Sequence, residues 1–330
     1  MCHIARAIEY EKIVPFETSK SIEVTRQRMA VQQLLDTRDN DETLVCRLHN
    51  YIKNFDELRS QIDPHQKLKM QPLFEWAIAS EVLQSSCWRL EAIVPRFALA
   101  KLYIQQASDT IADKKFKDAA KIYDKAIRLH KCILYELEGW TWKLAHMNHD
   151  ILKKNWHYAQ IFHIKSLKHL CMLSLGIHNQ TSSAAMYIVA QRAVCDAATA
   201  IAHWPIETSL LPLAETMRYY YSSDILWNKE QYGASIHTLE TWLAQPLPNT
   251  GMFDVIREEM EKIPLLLRER HQSNNGAYFD VVKAGPPLPT PQELTYMATS
   301  DAPHPQYSPQ STEEHAQDEA HASPKGGVDA

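Results

Sequence analysis

Glycine is scarce in this chain, 8 residues in 330, where average usage of about 7% would give nearly three times as many. Strand-and-turn folds and phosphate-cradling loops both consume glycine, so the shortage points away from them and toward long helices. The strong catalytic signatures are missing as well: there is no G-x-G-x-x-G, no phosphate loop, no G-x-S-x-G and no H-E-x-x-H. Cys2, Cys46, Cys87, Cys132, Cys171 and Cys195 form no C-x-x-C pair and no close Cys/His cluster. They read as buried thiols in a reducing compartment. No apolar run approaches the ~18 to 20 residues a membrane span needs. Glu9, Glu11 and Lys12 stand where a signal peptide would be apolar, so the expectation is a cytoplasmic protein.

An excess of positive charge is also lacking. From Lys283 onward there are seven acids and two bases, and the whole chain carries a formal charge of -5, which leaves residues 1–282 balanced. A balanced body gives no electrostatic ground for nucleic acid or direct anionic-membrane binding. Eight of the 17 prolines fall in those last 48 residues, among Ser, Thr and Gln. The expected division is a helical domain over 1–282 and a disordered, Pro-rich, acidic tail over 283–330. The Pro-x-x-Pro-like stretch from Pro286 to Pro291 could engage a Pro-recognising domain.

What is present is a stripe of rings and small side chains. Phe116, Ala119, Tyr123 and Ala126 recur at helical spacing within Asp113 to Ala126. A second helix can approach closely at the alanines while the rings fill the gaps between, as in tetratricopeptide-like hairpins. Tyr232, Ser235, Leu239 and Trp242 echo the pattern. The spacing predicts an all-α, elongated helical solenoid with a tetratricopeptide-like core.

Along the chain, residues 3 to 17 stay open between a short strand and a helix. Asp39 and Glu42 suggest a capping box ahead of a helix that runs to Ile62 and stops at Asp63-Pro64. A helical run is read from Pro72 to an interruption at Pro95, another through Leu99 to Ile111, and the longest from Lys115 to His146. Further helices are expected at 155–178, 182–203, 207–228, 230–244 and 252–271, and their short connections favour antiparallel neighbours.

His157, His163, His169 and His178 gather in one helical stretch. Six-residue steps put successive rings on different sides, whereas a shared metal needs three or four. No metal, cofactor or catalysis is expected of them, and they read as surface or hydrogen-bonded core residues. The competing enzyme reading would assemble a site from this stretch. The adjacent acids Glu258-Glu259 and Glu313-Glu314 point about 100° apart on a helix and suit a solvated face.

The run Ala119-Ala120-Lys121-Ile122-Tyr123 with its flanks resembles the central helix of the Bro domain in the Alix/Bro endosomal-sorting family. Tyr51 to Ile62, Leu73 to Ile78, Arg96 to Asp109, Glu215 to Trp242 and Asn274 to Phe279 follow in the order that family shows. The resemblance covers most of residues 40 to 285. It implies a body of long helices with a small N-terminal β-sheet. It also implies a non-catalytic adaptor that binds the C-terminal amphipathic helix of Snf7-type ESCRT-III subunits. Such a protein would be cytoplasmic, recruited to endosomes through its partner, and would serve multivesicular-body protein transport or a related signalling branch.

Residue by residue, the resemblance implies that Asp113 and Lys117 are an acid and a base beside the partner helix, with Leu175 and Ile188 at apolar contact positions. Arg192 stands where another apolar residue is expected, and Leu173-Ser174-Leu175-Gly176-Ile177 replaces the family's Ala-Gln-Ala-Gln-Glu signature. Tyr278 matches a tyrosine that phosphorylation-dependent partners can read. Nothing in the chain corresponds to the coiled domain that follows in longer members. The terminal Gly-Gly-Val-Asp-Ala has no prenylation cysteine, so a Bro-only protein without a lipid anchor is expected. The alternative is a generic helical-repeat scaffold for an unrelated partner.

Overall fold

Phe116, Ala119, Tyr123 and Ala126 are buried on one face of a helix, as their spacing predicts. The computed structural model describes residues 2–4, 19–37, 41–61, 74–78, 81–85, 87–138, 149–206, 209–245, 248 and 251–285. In chain order the elements are strand β1 (Cys2–Ile4), helices α1 (Ser19–Thr37) and α2 (Asp41–Gln61), strands β2 (Phe74–Ile78) and β3 (Glu81–Ser85), then α3 (Trp88–Ala112), α4 (Phe116–Glu138), α5 (Lys154–His178), α6 (Ser183–His203), α7 (Leu210–Asn228), α8 (Tyr232–Leu243), α9 (Asp254–Met260) and α10 (Ile263–Ser273). A 3-10 turn at Asp150–Leu152 precedes α5, and a π turn at Asn274–Tyr278 follows α10.

Helices α3 to α8 pack each on its predecessor, in three hairpins, α3–α4, α5–α6 and α7–α8, with α9 set against α5 and α10 against α8. This is an all-α solenoid-like stack with a small sheet at its N-terminal end. Among the described residues no helix is long and apolar enough to cross a membrane.

The three hairpin turns are built alike. Lys114, Gln180 and Glu230 each sit two residues past a helix end with φ of 59°, 53° and 61°. In each turn the next residue's N–H reaches back five residues, Lys115 to Thr110 O, Thr181 to Gly176 O and Gln231 to Leu226 O, while the left-handed residue bonds three back. That is the Schellman closure, usually made with glycine. Here lysine, glutamine and glutamate accept the left-handed conformation, which is how hairpins form in a glycine-poor chain.

At the N-terminal end, β1, β2 and β3 form an antiparallel sheet in that order, with His3 opposite Ala77 and Trp76 opposite Leu83. Phe74–Ile78 and Glu81–Ser85 are therefore paired antiparallel strands where a helical run from Pro72 is expected. Phe74, Trp76 and Ile78 alternate with Glu75 and Ala77, a period of two that the helical reading passed over. Pro95 does not interrupt α3 either. Burial of Ile93, Val94, Phe97 and Ala98 around it outweighs the ~3 kcal/mol a mid-helix proline costs.

Helix α1 escaped the sequence reading because its buried face is mostly polar: Ser21, Val24, Thr25, Arg28 and Val31. Arg28 is 1% exposed and Glu91 of α3 is fully buried. Arg28 Nε donates to Glu91 Oε1 at 2.8 Å, Trp76 Nε1 donates to Oε2 at 2.6 Å, and the Tyr51 hydroxyl donates to Oε1. One carboxylate thus joins α1, α2, β2 and α3.

Elsewhere the single helix expected over 252–271 divides into α9 and α10. Pro264 lacks an N–H for the Met260 carbonyl and its ring clashes with it, and α9 ends at Met260. The expectation of buried thiols holds for Cys171 alone among the described cysteines; Cys46 and Cys132 are exposed, because they fall on solvent faces of α2 and α4. Residue 39 of the capping box, the stretch 139–146 of the longest helix, and the tail from residue 286 on, with its Pro-x-x-Pro segment and Glu313-Glu314, lie outside the described residues.

Candidate partner-binding site

Two polar contacts mark the register of α4, α5 and α6. Lys168 Nζ of α5 lies 2.8 and 2.9 Å from the two carboxylate oxygens of Asp124 on α4. On the other side of α5, His169 Nδ1 lies 3.0 Å from Asp196 Oδ2 of α6, and Ser166 Oγ donates to Ala193 O at 3.0 Å. Gly176 then faces Met186 so closely that an added Cβ would lie 2.2 Å from the thioether sulfur. These helices run antiparallel in sequence order, so steps along one count backward along the next.

Lys117 is seven residues before Asp124 and Leu175 seven after Lys168, two turns or ~10.5 Å in the same direction and on the same faces. Ile188, eight residues before Asp196, sits at that level on α6. Leu175 is partly buried against the core, Ile188 is 38% exposed and Met172, one turn from Leu175, is 40% exposed. Lys117 projects from the first turn of α4. Three neighbouring helices therefore present an apolar pair and a lysine at one level.

Asp113 caps the C-terminal end of α3 and pairs with Lys115 at 3.0 Å, both 62% exposed, rather than with Lys117. Arg192 lies one turn from Ile188 on α6 and is half-buried. Tyr278 sits elsewhere, at the end of the π turn. Its ring stacks on Tyr232 at 3.8 Å and 13°, with Trp227 edge-on to both, and it stays 46% exposed. Asn274 fastens the arm behind it, bonding both the N–H and the carbonyl of Asp280, whose carboxylate accepts from Gly233 N at 2.8 Å. Gly233 is required here, since a Cβ would lie 2.0 Å from Val281 O.

The residues missed by sequence reasoning are the charges between the apolar contacts. Lys165 is half-buried on α5, and its pKa is lowered by desolvation and by the neighbouring Lys131 and Lys168, against the opposing pull of Asp196. Only alternation of Lys165, Lys168, Met172 and Leu175 on one helical face could have signalled them.

The histidine stretch disperses. His157 is fully buried and pairs with His130 of α4, their Nδ1 atoms 2.9 Å apart. His157 Nε2 lies 2.7 Å from the Ile151 carbonyl, which can only accept, so His157 Nδ1 is the acceptor and His130 Nδ1 carries the donated proton. Burial pushes both rings well below the ordinary histidine pKa. His169 faces Asp196 and His178 is exposed. Among the described residues no three His, Cys, Asp or Glu side chains stand together as a metal site would need.

No protein-family model matches the sequence, and no curated protein matches it. Solved structures do match. One is ALIX in complex with the SIVmac239 PYKEVTEDL late domain, at a TM-score of 0.70 and 14% identity over 86% of this chain and 46% of that one. A second is an ALIX BRO1–CHMP4C complex, at 0.68 and 13% over 88% and 91%. A third, described as the structural basis for endosomal targeting by the Bro1 domain, gives 0.56 and 13% over 90% and 93%. This chain spans less than half of the first structure and nearly all of the other two. At such identities the likeness is one of fold: the protein has the fold of a Bro domain.

Proposed function

We propose that the protein is a non-catalytic adaptor that holds the C-terminal amphipathic helix of a Snf7-type ESCRT-III subunit across α4, α5 and α6. The observation that carries this reading is the common level of Lys117, Leu175 and Ile188, marked by the Asp124–Lys168 and His169–Asp196 contacts. An apolar helix face docks on side chains of this kind when charges beside them can pair with its flanks. The shared fold with an ALIX BRO1 domain solved together with CHMP4C supports it. On this reading the protein works in the cytoplasm and reaches endosomes through its partner. Asp113 supplies a further charge at the edge, Tyr278 a phosphorylation-dependent contact, and the tail beyond residue 282 a separate linker able to engage a Pro-recognising domain.

Pull-down with the C-terminal helix of a Snf7-type subunit tests it. Ile188→Asp should abolish capture and Lys117→Glu should weaken it several-fold. A wild type that captures nothing contradicts the function, and variants that bind as wild type contradict the site. The second reading, a helical-repeat scaffold for an unrelated partner, draws support from Arg192, a cation one turn from Ile188.

A further inference from the structure

The seam between α5 and α6 continues past Leu175 and Ile188 for the rest of both helices. On α5, Met172, His169, Lys165, Phe162 and Tyr158 follow at steps of three and four, one stripe of ~21 Å. All keep some exposure. On α6, Arg192, Asp196, Thr199 and His203 run beside them in the opposite direction. Unlike the Leu175 end, this stretch combines cations with ring faces.

Its charge does not balance. Three lysines, Lys131, Lys165 and Lys168, stand against two carboxylates: Asp124, which meets Lys168, and Asp196, which lies beside His169 and draws on Lys165. Lys131 of α4 is an electrostatic neighbour of Lys165 and, after burial and against the stronger pull of Asp196, helps to lower its pKa; neither lysine forms an ion pair among the described residues. Lys165 Nζ lies over the Phe162 ring at 4.5 Å. His203 stacks on both Phe162 and Tyr158, at 5.7 and 5.3 Å. These stacked rings give the seam a stiff wall beside Lys165, and Lys131, exposed on α4, adds its repulsion. An anion laid along the seam would relieve it, and a basic segment would be repelled.

We propose that this seam is a second docking subsite, built to take an acidic segment of the partner chain that continues directly from the helix held at Leu175 and Ile188. The inference rests on the adaptor reading and names the chemistry of what extends beyond the docked helix. Continuity with that face and the complementary charge select a carboxylate-rich peptide as occupant. Lys131 and Lys165 hold the carboxylates, while Phe162, Tyr158 and His203 form the wall they run along.

Fluorescence anisotropy decides it with four synthetic peptides: the C-terminal helix of a Snf7-type ESCRT-III subunit alone, the helix with six glutamates at its N-terminal or at its C-terminal end, and the helix with six glutamines. One glutamate peptide should bind about tenfold tighter than the glutamine peptide at low salt. The gain should shrink to about twofold in high salt. It should vanish in Lys131→Gln, Lys165→Gln protein, with Lys131→Gln alone, a change at an exposed site, losing part of it. No gain in wild type, or an equal gain in the double variant, overturns the subsite while leaving the adaptor reading standing. A helix that does not bind, or that binds Ile188→Asp protein equally well, refutes the adaptor reading and the subsite with it.

Discussion

Glu91 and His130 are sealed from water to the same degree, at 0% and 1% exposure, but their surroundings differ in kind. Glu91 sits against a guanidinium, an indole N–H and a phenol, so its charge is matched and its lone pairs are filled. His130 faces only another imidazole, with Trp156 beside both rings at 6.0 and 4.9 Å, and burial there favours the neutral form. The N-terminal module closes on a fully buried ion pair, whereas the α4–α5 core around His130 closes on neutral rings. Each should fail under a different insult.

The largest effect is expected from Glu91→Gln. It strands the buried Arg28 charge and should lower stability by about 3–5 kcal/mol, while Arg28→Met with Glu91→Leu should recover only part of that loss, because the Trp76 indole N–H and the Tyr51 hydroxyl then lack an acceptor. Urea denaturation of the three variants checks it, and a double variant as weak as the single one breaks the contrast.

Acid should act on the other centre. Both histidines have a folded pKa below their unfolded value near 6.5, so the unfolded chain binds more protons as pH falls. Their contribution is intact above about 6.5 and is lost progressively below it, by ~3 kcal/mol for the two together at pH 5.5. Urea midpoints from pH 7.5 to 5 should drop more steeply for wild type than for His130→Gln, His157→Gln protein. Parallel slopes would contradict the neutral pairing.

The smallest effect concerns the turns. Lys114→Gly, Gln180→Gly and Glu230→Gly each relieve a left-handed side chain and should raise stability by ~0.5–1 kcal/mol, seen as a small increase in Tm. An unchanged or lowered Tm at all three would mean the native side chains carry compensating contacts.

The hairpin stack was legible because its signal is local. Ring and alanine spacing within Phe116 to Ala126 names the buried face directly, and the short connections give the antiparallel order. The N-terminal module was legible only in part: the apolar spacing gave α2, and the sheet came from resemblance alone. Its helix α1 buries Ser21, Thr25 and Arg28, which no apolar pattern marks, and the partner that makes Arg28 acceptable lies 63 residues away. The candidate site shares that difficulty. Leu175 and Lys117 could be proposed from resemblance, but their common level depends on Lys168 meeting Asp124 across 44 residues. The pairing of His130 with His157 likewise spans 27 residues and two helices.

Hydrogen exchange of the protein with and without the C-terminal helix of a Snf7-type subunit tests the central claim most directly. The account predicts slowed exchange in the first turns of α4, the last turns of α5 and the first turns of α6, around Lys117, Leu175 and Ile188, with the Tyr232–Tyr278 arm unchanged. Protection confined to other helices, or none at saturating peptide, would contradict it.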